Sequence, residues 1–576
     1  MYKVPTFLIT LLCCAVSLLA HAQDRPNVVF ILSDDHCWMD YSFMGHPHVK
    51  TPQLDRLASE GLVYERGYDT ASMCRPSLAS IVTGLYPHQT AVRGNHSIPA
   101  KYIEAFKTMD KKEGRALTRK HSHLMTASLK NAPSMVKQLK ANGYATFKAG
   151  KWWEGNPLDH GFEGTYSNQI GRKTMKPIYD FVNKAQKDKK PFFIWYGVFL
   201  PHTPHNAPDR LYRKYKNIAP NESTARYWAN IAWLDETCGQ IVNFLKEKKL
   251  YDNTLFVYAS DNGWLPDPKQ VGGYIRSKKE AVEIGVRTPI FITHKNKIVP
   301  HRDKETLAST IDIAPTILKA CGIEPDKMMS GLDLRKPDLL AKRGSIFVDN
   351  YDRDININEA HNLHSDILAR VVVNGWYKLI VRPNKNELYD LKNDPDDRKN
   401  ISAQHPEKVK ELSALIDKWL QATPMIFDRS QLFAVDSPGN ASAFEIGGPR
   451  CAGVKWKLTS IPESLKGFKT YPIERGDKLK PGKGMTVTLS APTEVYLAVM
   501  DRGDLKLDES WEKTNMKLDW MGDHVPFTDF IYKKKAPAGT LKIPGHSGKS
   551  GKKKITYGIP HLLIVPSSTQ VTSKKK

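Results

Sequence analysis

Two pairs of oxygen-bearing side chains follow two apolar segments of this sequence. Asp34 and Asp35 come after the run NVVFIL at residues 27–32, and Asp261 and Asn262 come after TLFVYA at residues 254–259. Three carboxylates and one carboxamide oxygen form a hard donor set that suits Ca²⁺ or Mg²⁺. Either pair alone is equally compatible with a helix N-cap or an Asx turn. Two such pairs after two apolar runs favour one shared metal site.

A candidate nucleophile is Cys74, in the segment SMCRPSLASIVTG at residues 72–84. Pro76 fits the first turn of a helix and Gly84 its end, so the thiol is predicted at a helix N-terminus. Free N–H groups and the positive end of the helix dipole lower a thiol's pKa there and attract sulfate or phosphate. A buried structural cysteine is the alternative interpretation.

Two further segments offer a proton donor and a cation. His202 lies in PHTPH at residues 201–205, directly after the apolar run at 191–200. Histidine titrates near neutral pH, so His202 is a candidate general acid, although a loop or core histidine is the more common finding. Lys151 follows a predicted edge strand at residues 145–149 and is a candidate for stabilising a developing anion.

The elements that must position these groups alternate between short apolar strands and amphipathic helices over the first two-thirds of the chain. This alternation is typical of an α/β domain built on a largely parallel sheet, and near-continuous apolar runs predict strands buried on both faces. Ligands of such sheets bind beyond the carboxyl ends of the strands, where all these groups are predicted. Helices are predicted from Pro52 to Gly61, with Thr51 as N-cap, and from Pro406 to Leu420.

The order of eight short motifs resembles that of the type I sulfatases. The motifs are RPNVVFILSDD (25–35), TPQLDRL (51–57), CRPS (74–77), TGLYPH (83–88), GKW (150–152), PHTP (201–204), SDNG (260–263) and EIGVRTP (283–289). With ELYDLKNDP at residues 387–395, the similarity extends from about Arg25 to Leu420. It implies an alkaline-phosphatase-like α/β fold, with a mixed, mostly parallel sheet flanked by helices. It also implies a catalytic domain at about 23–425 that includes a smaller subdomain from about residue 340.

The resemblance implies hydrolysis of a sulfate ester on a sulfated carbohydrate. In the family the cysteine at position 74 is oxidised to formylglycine by a maturation enzyme, and the hydrate attacks sulfur and releases the alcohol. The implied ligands of a single Ca²⁺ ion are Asp34, Asp35, Asp261, Asn262 and the residue derived from Cys74. His202 matches the group facing the leaving oxygen, while Lys151 and Lys278 match the lysines that hold the sulfate.

The sequence departs from the family pattern at two positions. The family's Cys-x-Pro-x-Arg ends here in Leu78, and its Gly-Lys-Trp-His reads Gly-Lys-Trp-Trp153. A cation that would steady the nucleophile, and a histidine that would contact its hydroxyl, are therefore replaced. Arg75 is near Leu78 in sequence but is expected to point elsewhere from the start of the helix. These departures affect conversion of Cys74, whereas the metal ligands and His202 are retained.

The composition favours an exported protein that acts on anionic material. The 576 residues carry a formal net charge of +24, which suits an anionic substrate or surface, although a solvated lysine-rich surface is the alternative. Nucleic acid is disfavoured as a partner, because the protein is predicted to be exported and no nucleic-acid module is recognisable. Residues 1–22 read as a cleaved signal peptide ending in Ala20-His-Ala22, which predicts a secreted or periplasmic protein without stable membrane insertion. A retained anchor, or a lipoprotein through Cys13 or Cys14, is the alternative.

The pattern of apolar and polar residues changes after about Ser430. Helical periodicity fades, and alternating segments such as residues 485–489 and 495–499 stand between Pro- and Gly-rich turns. This pattern predicts a β-rich accessory module over residues 430–576, whose 24 Lys+Arg and 14 Asp+Glu give a net charge of +10. Carbohydrate binding and passive support of the catalytic domain are both compatible with it.

Three functions remain open at the level of the sequence. The first is hydrolysis of sulfate esters on an anionic polysaccharide. The second is phosphoester or phosphonate hydrolysis, since a metal, a helix N-terminus and lysines serve phosphate equally well. The third is a sulfated-glycan-binding protein that has lost catalysis, which Leu78 and Trp153 motivate. Retention of clustered carboxylates, which repel one another without a cation, favours the enzymes.

Overall fold

The computed structural model describes residues 25–98, 102–129, 132–167, 169–359, 362–426, 442–451, 456–472, 484–489, 492–500, 507–522, 525–545, 561–566 and 571–573. The signal peptide predicted at residues 1–22 lies outside these ranges and stays a prediction. The chain divides into two compact units, Met1–Phe427 and Asp428–Lys576. Within the described ranges, no helix has both the length and the apolar character needed to cross a membrane.

An eight-stranded sheet forms the centre of the first unit. The described strands of this unit are β1 (Asn27–Ser33), β2 (Leu62–Tyr68), β3 (His96–Ile98), β4 (Ala145–Gly150), β5 (Gly164–Tyr166), β6 (Phe192–Gly197), β7 (Thr254–Ser260), β8 (Arg287–Thr293), β9 (His301–Ser309), β10 (Ser345–Tyr351), β11 (Asp354–Asn356), β12 (Ile367–Asn374), β13 (Tyr377–Arg382) and β14 (Lys385–Asp390). The order in the large sheet is β5-β4-β6-β1-β7-β8-β2-β9, and only β8 runs against its neighbours. The predicted mixed, mostly parallel sheet is confirmed.

One position within the sheet differs from the prediction. The strand at residues 145–149 was expected at the edge, but β4 lies between β5 and β6. The expectation is wrong because β5 has only three residues, GTY, and therefore carries no apolar run that a sequence pattern detects.

Both faces of the sheet are covered by apolar side chains and helices. In β1, Val28, Phe30 and Leu32 pack into one core cluster, whereas Val29 and Ile31 pack into a second. Successive side chains of a strand point to opposite faces, so this division places a hydrophobic layer on each side.

The described helices of the first unit are α1 (Pro52–Ser59), α2 (Cys74–Thr83), α3 (Pro87–Thr90), α4 (Ile103–Thr108), α5 (Lys111–Ser128), α6 (Met135–Ala141), α7 (Lys176–Lys187), α8 (Asp209–Tyr215), α9 (Glu222–Glu247), α10 (Glu283–Val286), α11 (Ile313–Ala320), α12 (Pro337–Ala341) and α13 (Pro406–Ala422).

The start of α1 is capped by a distant residue. Thr51 precedes the helix as predicted, but its hydroxyl donates to Asp55 Oδ1 at 2.8 Å and caps no backbone N–H. The N–H groups of Gln53 and Leu54 instead donate to Asp235 Oδ1 at 2.9 and 2.8 Å. The carboxylate of Asp235 on α9 therefore caps the helix in place of the Thr51 hydroxyl.

A second, antiparallel sheet closes the first unit. Its strand order is β10-β12-β13-β14, and α13 packs on it through Leu412, Ile416 and Trp419. These three apolar residues, spaced three or four positions apart, thus form the face of the predicted helix that contacts the sheet.

The second unit is rich in β structure, as the sequence pattern predicts. Its described strands are β15 (Ser442–Ala443), β16 (Lys457–Ser460), β17 (Lys469–Tyr471), β18 (Met485–Leu489), β19 (Thr493–Met500), β20 (Glu512–Gly522), β21 (Val525–Ala536), β22 (Gly539–Ile543), β23 (Leu562–Val565) and β24 (Val571–Ser573). They form a seven-stranded and a three-stranded antiparallel sheet.

Candidate active site

The two pairs of candidate metal ligands meet because their strands are parallel neighbours. Ser33 at the end of β1 stands opposite Ser260 at the end of β7, so the residues that follow leave the sheet side by side. The N–H of Asp35 donates to Asp261 Oδ1 at 3.1 Å. Asp35 has a φ of 61°, a left-handed conformation that non-glycine residues adopt rarely and often at functional sites. The structure therefore brings the four predicted metal ligands to one edge of the sheet.

Two buried lysines neutralise this acidic cluster. Lys151 Nζ lies 2.5 Å from Asp34 Oδ1 and 2.8 Å from Asp261 Oδ2. Lys278 Nζ lies 2.6 Å from Asp35 Oδ1. Burial raises the pKa of Asp35, but the charges of Lys278, His202 and Lys151 outweigh it and hold that pKa at about 2. The lysines that the resemblance indicated thus contact the predicted metal ligands directly.

Asp261 keeps its proton to a higher pH than Asp35 does. Burial raises its pKa to about 6, with Lys151 opposing and the charges of Asp34 and Asp35 adding to the rise. Asp35 and Asp261 therefore differ in how readily they lose a proton, as expected for clustered carboxylates.

Several oxygens of the cluster are placed to accept a metal. Asp34 Oδ2, Asp35 Oδ2 and Asn262 Oδ1 are buried and have no hydrogen-bond partner among the described residues. Ligand atoms of Asp34, Asp35, Cys74 and Asp261 all lie within 4.8 Å of one another. Buried polar atoms are rarely left without a partner, so a hard cation fits this donor set.

Cys74 lies at the start of α2, as predicted, and its Sγ is 4.0 Å from Asp34 Oδ1. The expectation that the helix N-terminus lowers its pKa is wrong. Burial raises the pKa of the thiol to about 12, although Lys151 and Lys278 oppose the rise. The thiol is buried beside carboxylates, and this loss of solvation outweighs the attraction of the cations. Cys37, Cys238 and Cys321 are also buried thiols, so burial does not by itself distinguish Cys74.

His202 stands at the rim of the cluster. Its Nε2 is 3.5 Å from Asp35 Oδ2, and its side chain is 29% exposed, against 1% for Asp35. Its Nδ1 lies 2.7 Å from the carbonyl oxygen of Thr203, which fixes the ring orientation. The imidazole therefore reaches both the buried carboxylates and the solvent, which a proton donor to a leaving group requires.

Arg172 is a residue of the site that sequence reasoning missed. Its guanidinium makes five hydrogen bonds to the loop that carries His202. It donates twice to the carbonyl of Phe199, at 3.1 and 2.5 Å, and once to the carbonyl of His202 at 2.7 Å. It also donates to Pro204 O at 3.2 Å and Asn206 Oδ1 at 2.6 Å. No local motif marks Arg172, because all its acceptors are more than twenty residues away.

The two positions that depart from the family pattern lie against the hydrophobic core. Leu78 is 2% exposed within the first core cluster, and Trp153 packs against the same cluster. Arg75 points elsewhere, as expected, because its guanidinium pairs with Glu154. Sequence reasoning missed Glu154, although it lies only two residues beyond the Gly-Lys-Trp motif.

Comparison with known proteins adds to this geometry. The family model described as Sulfatase matches residues 26–323, and that described as N-sulphoglucosamine sulphohydrolase, C-terminal, matches residues 276–423. The N-acetylgalactosamine-6-sulfatase of Sus scrofa is 27% identical over 366 residues, which cover 54% of this chain and 66% of that protein. The N-acetylgalactosamine-6-O-sulfatase of Bacteroides thetaiotaomicron is 25% identical over 487 residues, which cover 69% of this chain and 93% of that protein.

A solved structure supports the fold. The crystal structure of a putative sulfatase from Bacteroides fragilis aligns with a TM-score of 0.55 at 21% identity, covering 71% of this chain and 98% of the other. The predicted alkaline-phosphatase-like α/β fold is thereby confirmed.

Proposed function

Because the chain belongs to the sulfatase family, we propose that it hydrolyses sulfate esters of a sulfated carbohydrate at the cluster around Asp34 and Asp261. One observation carries the proposal: three carboxylates, two lysines and a helix N-terminus converge on one buried point. Cleavage of a sulfate ester needs cations and fixed donors around a tetrahedral anion. The names of the pig and Bacteroides relatives, both sulfatases of an N-acetylated amino sugar, support a sugar substrate.

The proposed cofactor is one Ca²⁺ ion. The residues that would hold it are Asp34, Asp35, Asp261, Asn262 and the residue derived from Cys74. The partner-free oxygens of this set support the assignment, since all are hard donors. When bound, the ion would act as a Lewis acid on the sulfate oxygens.

The proposed nucleophile is a formylglycine derived from Cys74, made by a maturation enzyme. Its hydrate would supply a hydroxyl where the thiol now lies. The high pKa of Cys74, about 12, supports this proposal, because a neutral buried thiol is a weak nucleophile at neutral pH.

The remaining roles follow from position. Lys151 and Lys278 would hold the sulfate oxygens, since both ammonium groups are buried at the cluster. His202 would donate a proton to the alcohol oxygen as the S–O bond breaks, because its Nε2 faces the cluster from the rim.

The test is turnover by purified protein co-expressed with a formylglycine-generating enzyme. Release of inorganic sulfate is measured with CaCl₂ on sulfated monosaccharides, sulfated polysaccharides and an aryl sulfate. Release of the phenol is measured on the aryl sulfate, an aryl phosphate and an aryl phosphonate. The Cys74→Ala variant is the control for contaminating activity. Mass spectrometry of the Cys74 peptide reports the chemical form of the nucleophile.

The outcomes separate the three functions. Sulfate release that Cys74→Ala abolishes supports the proposal. Faster turnover of the phosphate or phosphonate would replace it with the second function. Binding of sulfated glycans without turnover of any ester would replace it with the third. An unmodified thiol in active protein would exclude formylglycine while leaving the sulfatase activity standing.

A further inference from the structure

Arg75, the residue after the proposed nucleophile, forms a buried ion pair with Glu154. The Arg75 side chain is fully buried, and that of Glu154 is 3% exposed. Arg75 Nε donates to Glu154 Oε1 and Arg75 Nη2 donates to Glu154 Oε2, both at 2.8 Å. Two parallel bonds of this kind fix the relative orientation of guanidinium and carboxylate.

The pair is enclosed by further hydrogen bonds from α5. Arg75 Nη1 donates to Ser122 Oγ at 3.2 Å, and Nη2 donates to Ser122 O and Thr126 Oγ1, each at 3.1 Å. The Thr126 hydroxyl in turn donates to Glu154 Oε2 at 3.0 Å. The backbone N–H of Arg75 donates to Asn95 Oδ1 at 3.1 Å. These hydrogen bonds fix the position and the orientation of both the guanidinium and the carboxylate.

The two ends of the pair belong to the segments that carry the reacting groups. Arg75 is adjacent to Cys74 at the start of α2, and Glu154 is three residues beyond Lys151. The backbone of Lys151 is also fixed, since its N–H donates to the carbonyl oxygen of Gly197 at 2.6 Å. A rigid link between residues 75 and 154 thus sets the position of residue 74 relative to Lys151.

The same two segments carry the departures from the family pattern. Leu78 and Trp153 supply neither the cation nor the imidazole expected beside the nucleophile, and both pack against the apolar core. The described residues place a charged pair one position away from Trp153 and three positions away from Leu78.

We propose that Arg75 and Glu154 are positioning residues that hold residue 74 and Lys151 in register for sulfate transfer, a role that rests on the proposed function. They work in place of the contacts that Leu78 and Trp153 do not make. A buried ion pair adds little stability compared with apolar side chains of similar size, so positioning accounts for its presence better than stability does.

The test compares matched variants. Arg75→Lys keeps the charge but cannot make two parallel bonds to a carboxylate. Arg343→Lys is the matched control, because Arg343 also pairs in bidentate fashion with a buried carboxylate, Asp312. Arg75→Met/Glu154→Leu removes both charges and leaves neither unpaired, so the fold is retained. Melting temperatures are recorded for every variant.

For Arg75→Lys, kcat on an aryl sulfate is expected to fall about 10- to 100-fold, because small misplacements of reacting groups cause losses of this size. KM should change less than about threefold, since uniform binding of the substrate is not affected. Arg343→Lys should leave both parameters within about twofold at a similar melting temperature. The double variant should be no faster than Arg75→Lys. Equal kinetic effects of Arg75→Lys and Arg343→Lys, or full activity of the double variant, would overturn the proposal.

Two readouts do not require turnover. In the Cys74→Ala background with CaCl₂, Arg75→Lys should bind inorganic sulfate within about threefold of its parent by calorimetry, as expected for KM. A tenfold or greater loss would assign the ion pair a binding role and would overturn positioning for sulfate transfer. A crystal structure of the double variant should show a changed separation of the Cα atoms of residues 74 and 151. An unchanged separation would refute the positioning role. Both measurements can be made even if the protein hydrolyses no sulfate ester, so failure of the proposed function is distinguished from failure of the positioning role.

Discussion

The ammonium group of Lys278 lies 2.6 Å from Oδ1 of Asp35, and both side chains are buried. In the proposed mechanism this ion pair would give Lys278 two opposing effects, because the lysine would attract sulfate oxygens and would repel a metal ion held by Asp35. In the Lys278→Met variant, kcat/KM on an aryl sulfate should fall at least 100-fold, as for loss of a buried group that stabilises developing charge. Calcium affinity, measured by calorimetry in the Cys74→Ala background, should rise.

Lys279→Met is the control for this prediction, since no ion pair or side-chain hydrogen bond joins Lys279 to the cluster within the part of the chain that the structure describes. A parallel loss of calcium affinity and turnover in Lys278→Met would show that the lysine supports the metal site and does not compete with it.

Removal of calcium is expected to destabilise the protein. The cluster of Asp34, Asp35 and Asp261 is buried, and its three carboxylates face only two lysines, so like charges repel one another when no metal ion is bound. Protein stripped with a chelator should melt at a lower temperature, and free Ca²⁺ at about 100 times its Kd should restore about 2.7 kcal/mol. Differential scanning calorimetry measures the shift. Asp261→Asn should melt independently of calcium, and a calcium-dependent shift that survives this substitution would place the ion elsewhere.

Calcium affinity should depend on pH through Asp261. Burial raises the pKa of this carboxyl from 3.8 to about 6 in the folded protein without metal, so a proton competes with the ion below that value. The apparent affinity should therefore rise with pH up to about 6 and level off above about 7. Isothermal titration at pH 5, 6, 7 and 8 tests this. Asp35, whose pKa is about 2, contributes no step in this range, and a flat profile would contradict the assignment of Asp261 as a ligand.

Loss of Arg172 should impair proton transfer more than binding. Four of its hydrogen bonds go to backbone carbonyls of Phe199, His202 and Pro204, and the fifth goes to the side chain of Asn206. Arg172→Met should lower kcat about tenfold or more on a sugar sulfate, whose alcohol leaves poorly without a proton. The loss should be smaller on an aryl sulfate, since a phenol leaves without assistance. Lys173→Met, an exposed neighbour, is the control, and equal losses on both substrates would assign Arg172 a purely structural role.

The sequence predicts the strands well because the main sheet is covered on both faces. A strand such as β1, buried at every position, must be apolar throughout and is therefore visible without structural knowledge. The short strand β5 is half exposed and was missed. The candidate metal ligands are predicted for the same reason as β1, because each pair directly follows such a strand.

Lys278 shows the opposite case. It lies between β7 and β8 in a stretch with little regular structure, and no apolar period marks its position. The role proposed for Lys278 comes only from the resemblance, and only the fold brings its ammonium group to Asp35, a residue 243 positions earlier.

The types of donor, their attachment to strand ends and the helix that begins at Cys74 are determined by the sequence alone, because hydrophobic periodicity and helix punctuation are local. The tertiary structure decided which charges meet: Lys151 with Asp34 and Asp261, and Arg75 with Glu154, pairs that lie 79 to 117 positions apart. It also decided the ionisation of Cys74, since burial outweighs the helix dipole that the local sequence predicts. Strand order and burial are properties of the whole chain, and both determine which charged groups lose water and which gain a partner.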